Sequence, residues 1–235
     1  MRLLRLLRLF ATLLSLTSAI SSPKRGLVYV QGKNPSDDNI WIRAAGSNLK
    51  WYYNYGEMPT PALRSSRLHY VPMLWGPSSS RTGSSFADVV KSLINQGNNI
   101  THVLGFNEPD EARKNGGSDM TTDAAAAMWI REIEPLKTLG IKLGAPAVTG
   151  SPRGLDWFAD FLKKCKGGCT FDFLPIHWYG NFEGLASYVG QVKVAYPNTT
   201  FWVTEFGYPK EDLSVTQKFF NDSTELFDNS EYVLS

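Results

Sequence analysis

Two glutamates close two apolar runs, Glu108 in "THVLGFNEPD" and Glu205 in "FWVTEFGYP". A short apolar run that ends in a polar cluster reads as a buried parallel strand emerging at its C-terminal end, where α/β folds carry their chemistry. A single Glu at such a place reads as a solvated loop residue. Two that face one mouth can act on a glycosidic bond: one carboxyl protonates the leaving oxygen and the other stabilises or attacks the anomeric carbon. A separation of about 5 to 5.5 Å between them means retention of configuration, and about 6.5 to 9.5 Å means inversion. Asn107 adds an amide beside the acid, suited to a sugar hydroxyl in the transition state.

Aromatic residues gather near the same expected strand ends: Trp51, Tyr52, Tyr53, Trp75, Trp178, Tyr179, Phe206 and Tyr208. Flat rings stack on pyranose faces, although for any one of them core packing is the alternative. His177, in "PIHWYG", can orient a carboxylate, bind a hydroxyl, or serve as a hydrogen-bonded structural histidine. His69 and His102 fall at strand starts and read as structural. No His-x-x-x-His pair or Asp cluster points to a metal, and no G-x-G-x-x-G or G-x-x-x-x-G-K turn points to a nucleotide, so no cofactor is expected.

The elements that must position these residues recur along the chain. Extended segments begin at Gly26, Trp51, Tyr70, His102, Lys142, Phe171 and Phe201. Helical patterns lie between them. "SSFADVVKSLINQG" opens on a Ser cap and stops at Gly97; "TTDAAAAMWIREIEPLKTLG" opens on Thr caps, kinks at Pro135 and closes at Gly140. "GLDWFADFLKKC" and "SVTQKFFNDSTELFD" are weaker versions. Strand and helix alternating at roughly thirty-residue spacing predict a parallel (β/α)₈ TIM barrel. After the seventh unit only "EYVLS" remains, so the expected barrel is truncated before completion of its eighth β/α unit.

A chain of 235 residues, 43% hydrophobic, is long enough for one sizeable core. The first twenty residues, "MRLLRLLRLFATLLSLTSAI", have a charged start, a Leu-rich stretch and small residues, which predicts a secretory signal peptide rather than a membrane span. The Lys24-Arg25 pair is a second candidate processing point, or a solvated pair of charges. Residues 26–235 then form the single domain. Of 24 basic residues, three (Arg2, Arg5 and Arg8) lie in the leader, and 22 acidic residues balance the rest. A near-neutral mature chain has no electrostatic motive to bind nucleic acid. It reads as a secreted monomer with no membrane association after signal removal.

Sequons at Asn99, Asn198 and Asn221 fit export, although chance sequons are common; two precede strands, so glycans there would hang opposite the strand exits. Cys165 and Cys169, in "CKGGC", suit a small disulfide better than a metal site, with free buried thiols as the alternative.

Together, "GFNEPD", "LPIHWYG", "WVTEFGYP", "YVPMLWG" and "LGAPAVTG" resemble the fungal alkali-sensitive linkage protein family, part of glycoside hydrolase family 128 within the clan of retaining barrel hydrolases. The resemblance runs from Gly26 to about Val233. It implies a secreted, endo-acting hydrolase of β-1,3-glucan with Glu108 as general acid and base and Glu205 as nucleophile. It further implies that Asn107 binds the hydroxyl next to the anomeric carbon, that His177 and Tyr179 line the cleft, and that Asn54 and Trp75 shape subsites. Trp51, Trp178 and Tyr208 complete the expected binding set. Tyr55 departs from the pattern, standing where such proteins lead one to expect a tryptophan. A second reading is a non-catalytic glucan-binding or wall-associated protein derived from such an enzyme. In a third, the sequence is an incomplete piece of an ordinary enzyme.

Overall fold

The computed structural model describes residues 22–32, 48–64, 66–77 and 83–235. The expected leader lies outside them. Among the described residues seven parallel strands follow in order: β1 (Gly26–Val28), β2 (Trp51–Tyr53), β3 (His69–Tyr70), β4 (His102–Leu104), β5 (Lys142–Gly144), β6 (Phe173–Tyr179) and β7 (Thr200–Gly207). They form sheets β1-β2-β3 and β4-β5-β6-β7. A parallel bridge of Met73 to Leu104 joins the two, with Leu104 N donating to Pro72 O at 2.8 Å. Beyond β7 the segment Tyr232–Ser235 begins an eighth position, with Phe201 N donating to Tyr232 O and Val203 N to Ser235 O, both at 2.7 Å. The fold is a partial (β/α)₈ barrel.

Among the described residues five α-helices cover the outside: α1 (Phe86–Asn95), α2 (Thr122–Glu132), α3 (Pro152–Cys165), α4 (Phe182–Ala195) and α5 (Leu213–Asn229). Ser85 caps α1 by accepting from Asp88 N, and Thr121 caps α2 by accepting from Ala124 N. Pro135 has no N–H to continue the ladder, so α2 stops at Glu132 and a 3-10 turn, Glu134–Leu139, carries the chain to Gly140. The expected kink is therefore a break. Helix α4 is an addition to the sequence reading. Its stripe of Leu185, Tyr188, Val189 and Val192 has helical spacing, but Gly184 and Gly190 lower its propensity. Gly184 is required there, because a Cβ would lie 2.2 Å from the Trp178 ring.

Side chains alternate between two cores, as the pleat demands. Trp51, Tyr53, Met73, Leu104, Phe173 and Trp202 fill the barrel interior. Tyr52, Val103, Leu143, Leu174, Ile176 and Phe201 face the helices. The Cys165–Cys169 disulfide staples the end of α3. Asn99, Asn198 and Asn221 are all exposed, the first two just ahead of β4 and β7.

On the remaining side, among the described residues, no strand pairing joins β1 to Tyr232–Ser235. Side chains span that side instead. Lys24 Nζ donates to the carbonyls of Phe227 and Ser230, each at 2.8 Å, and Arg25 grips Asp228 through two bonds of 2.9 and 2.6 Å. The pair, read as either a processing point or solvated charges, is thus partnered, its cations placed at a helix C-terminus where they oppose the helix dipole. Behind them a cavity of about 440 Å³ reaches from Leu27 and Phe227 to Glu205.

Candidate active site

Glu108 and Asn107 sit where β4 leaves the barrel, pinned from both sides. Asn107 N donates to Trp75 O at 3.0 Å beyond β3, and Glu108 N to Ala147 O at 2.7 Å beyond β5. Glu108 adopts φ +40, a left-handed conformation that a non-glycine residue keeps only where its surroundings over-determine it. Those surroundings are visible. Its carbonyl accepts from Glu111 N and Ser118 N, and the buried Asp110 carboxylate takes both the N–H and the hydroxyl of Thr149. The Glu111 carboxyl is pushed down to about 2 by Asn115, Arg153 and the Ala112 N–H, so it stays ionised and holds the loop's outer edge.

His177 and Glu205 come from β6 and β7 and are register partners. Strand parity decides where they point. On β6, Phe173 faces the interior, so His177 and Tyr179 do too, and Trp178 faces the helices. On β7, Trp202 faces the interior, and strict alternation would turn Glu205 outward. A register shift after Ile176 places one extra residue, Thr204, on β7 and re-aims Glu205 into the mouth. Bulges beside active sites commonly re-aim one side chain in this way.

The result is a compact set. Oxygens of Glu108 and Glu205 and a nitrogen of His177 lie within 4.8 Å of one another. His177 Nδ1 is 3.0 Å from Glu108 Oε1 and 3.6 Å from Glu205 Oε2. A carboxylate only accepts, so while Glu108 is ionised Nδ1 carries the proton. Tyr55 donates to Glu205 Oε1 and Tyr179 to Glu205 Oε2, each at 2.8 Å. Burial, and then the Glu205 charge, push both phenols well above their ordinary range, so they remain donors. Each oxygen of Glu205 thus has a hydroxyl aimed at it. Asn107 donates to Gly116 O at 3.2 Å, and its buried Oδ1 has no protein partner among the described residues, which leaves an acceptor for a ligand.

The other expected binding residues divide. Tyr179 stands 59% exposed at the rim, and half-buried Trp75, like Tyr55, packs against the interior cluster, with the Arg113 guanidinium 5.8 Å from its ring. Trp51 is not at the mouth: it is buried at the start of β2, 4.7 Å from the Trp202 ring. Trp178 points outward, its indole donating to Asn181 O and its ring stacked on Tyr188. Tyr208 packs against Phe219 of α5. Asn54 has no free amide for a sugar. Its Oδ1 accepts from Gly56 N and the Tyr70 hydroxyl, and its Nδ2 donates to Met58 O and Thr60 Oγ1. It builds the turn that presents Tyr55, a residue the sequence reading left out of the site.

A family model described as "Glycosyl hydrolase catalytic core" matches residues 26–234. The chain belongs to this family. Its similarity extends to alkali-sensitive linkage protein 1 of Schizosaccharomyces pombe, at 31% identity over 82% of this chain. The chain spans about a third of that relative's length, 33%. Among solved structures it is similar to a curdlan-specific exo-β-1,3-glucanase of glycoside hydrolase family 128 (subgroup III) from Blastomyces gilchristii. That likeness has 31% identity and TM-score 0.73, covering 90% of this chain and 87% of the other. A subgroup IV endo-β-1,3-glucanase from Lentinula edodes matches at 26% identity and TM-score 0.71, covering 90% and 81%. The family that the sequence motifs resemble is therefore the family of its solved relatives.

Proposed function

We propose that this protein hydrolyses β-1,3-glucan by double displacement, with Glu108 as general acid and base and Glu205 as nucleophile. The observation that carries the reading is the approach of the two carboxylates within 4.8 Å. That approach of one oxygen from each carboxylate supports retention, being nearer the about 5 to 5.5 Å of retaining enzymes than the about 6.5 to 9.5 Å of inverting ones. In the first step Glu205 Oε2 attacks the anomeric carbon, and the glycosidic C–O electron pair moves to the leaving oxygen, which takes the proton of Glu108. In the second, Glu108 removes a proton from water, the water oxygen bonds the anomeric carbon, and the pair of the ester C–O bond returns to Glu205. Asn107 Oδ1 is placed to accept from the neighbouring sugar hydroxyl.

The glucan specificity draws on the two relatives, which are both β-1,3-glucanases. One is exo- and the other endo-acting; the endo mode is our choice because Trp75 and Tyr179 flank the carboxylates from different strand exits, offering rings on both sides of a scissile bond. Secretion, with residues 1–20 as leader, is part of the same reading and is supported by the disulfide and the exposed sequons. A second reading, a glucan-binding protein without turnover, is favoured by the cavity that runs from β1 to Glu205 and opens the nucleophile's flank.

Incubation with linear β-1,3-glucan separates the two. A ladder of short oligosaccharides that disappears in Glu108→Gln supports the hydrolase and its endo mode. Folded protein that binds glucan and releases nothing supports the second reading.

A further inference from the structure

Tyr55 lies two residues past the end of β2 and adopts φ +56. Among the described residues only five non-glycine positions have positive φ, and two of them, Tyr55 and Glu108, meet at this one site. A left-handed tyrosine is held only by a turn that fixes it. That turn is the Asn54 network, in which the one Tyr70 hydroxyl proton is shared between Asn54 Oδ1 at 2.9 Å and Gly56 O at 2.6 Å, with Met73 N donating to the same carbonyl. The Tyr55 ring also stands edge-on to Tyr53, whose hydroxyl donates to Thr204 O at the β7 bulge. One strand exit is thus built to hold a phenol against Glu205.

The two oxygens of Glu205 are not equivalent. Oε2 faces Glu108 across His177 Nδ1, on the side where the sugar must lie, and Oε1 faces Tyr55. We propose that Tyr55 is a positioning residue that keeps the non-attacking oxygen of Glu205 hydrogen-bonded through both steps and speeds the second one; this rests on the double-displacement reading above. In the glycosyl-enzyme, Oε2 is the ester oxygen and Oε1 the carbonyl oxygen. As the ester C–O bond breaks, negative charge returns to the carboxylate, and the Tyr55 O–H stabilises it there. In the first step the same hydrogen bond holds charge on a group that is losing it, so it gives no acceleration. Tyr179 differs, because its bond to Oε2 must loosen as that oxygen attacks.

The test uses 4-nitrophenyl β-laminaribioside, whose activated leaving group makes the second step limit kcat while kcat/KM reports the first. For Tyr55→Phe we expect kcat to fall about 10-fold, with kcat/KM within about 3-fold of the parent and a retained burst of nitrophenol. A merely structural tyrosine would lower both together, and that result, or no change in either, overturns the proposal. Because Phe keeps the ring but not the donor, matched melting temperatures check folding. Should that variant misfold, 3-fluorotyrosine at position 55, a stronger donor, is expected to raise kcat, and an unchanged kcat overturns the proposal. A parent protein that shows neither burst nor turnover overturns the hydrolase reading and this inference with it. A parent burst without the variant's split overturns this inference alone.

Discussion

The exits of β6 and β7 and the edge of β1 border the same mouth, yet they are held in opposite ways. Strands β6 and β7 pair from Phe173 to Tyr179 against Thr200 to Gly207, and their one irregularity aims Glu205 at Glu108. Strand β1 has three half-buried or exposed residues, paired among the described residues to β2 alone, and its outer side is tied to α5 by Lys24 and Arg25. The first region sets side chains by backbone register; the second sets only the spacing of two elements by flexible cations. The contrast teaches that the two carboxylates are held by the exits of β2 to β7, where backbone register and the Tyr53 and Tyr55 hydroxyls meet the β7 bulge. The β1 side should govern stability and access rather than chemistry.

Breaking the first region should have the largest effect. Glu205→Gln should lower turnover on the order of 10⁴-fold or more, with glucan binding retained and melting unchanged, because stacking supplies affinity and the carboxylate the chemistry. Kinetics alongside calorimetric titration would check this. Trp75→Ala comes next: we expect KM to rise about 10-fold with little change in kcat, since a ring that stacks on ground state and transition state alike contributes uniform binding.

Breaking the second region should spare the chemistry. Lys24→Ala with Arg25→Ala should cost about 1 to 2 kcal/mol in denaturant unfolding, being one partly exposed bidentate pair and one cation at a helix C-terminus. Turnover should stay within about 2-fold at temperatures where the variant is folded. A loss of turnover as large as that of Glu205→Gln would erase the contrast. The smallest expected effect is acid sensitivity at the β4 exit. The Glu111 carboxyl is depressed from 4.5 to about 2, so the stability it adds is present above pH 4.5 and is lost as pH falls toward 2. Glu111→Gln should flatten the acid limb of the stability profile in that window and leave neutral pH nearly unchanged.

Much of the barrel was legible because its signals are local. Apolar runs bounded by polar clusters located all seven strands, and Ser85, Thr121 and Gly140 marked helix ends where capping chemistry requires them. The two glutamates were legible as strand-end carboxylates. Proximity to a strand end proved a poor guide for the rings, because it ignores parity. Counting by twos from Phe173 sends Trp178 outward, and Trp51 and Tyr208 belong to the barrel interior and the α5 face. The same counting would have failed for Glu205, since nothing in "WVTEFG" announces an extra residue at Thr204; that bulge follows from pairing with β6. Tyr55 was hidden for a related reason. Its left-handed backbone is imposed by Asn54, Tyr70 and Met73, contacts that its own neighbours in sequence do not reveal.

The most direct test of the central claim is the anomeric configuration of the first product, followed by proton NMR during early hydrolysis of linear β-1,3-glucan. Two carboxylates within 4.8 Å predict that the β-anomer appears first and mutarotates afterward. The α-anomer appearing first, or hydrolysis that persists in Glu205→Gln, would contradict the account.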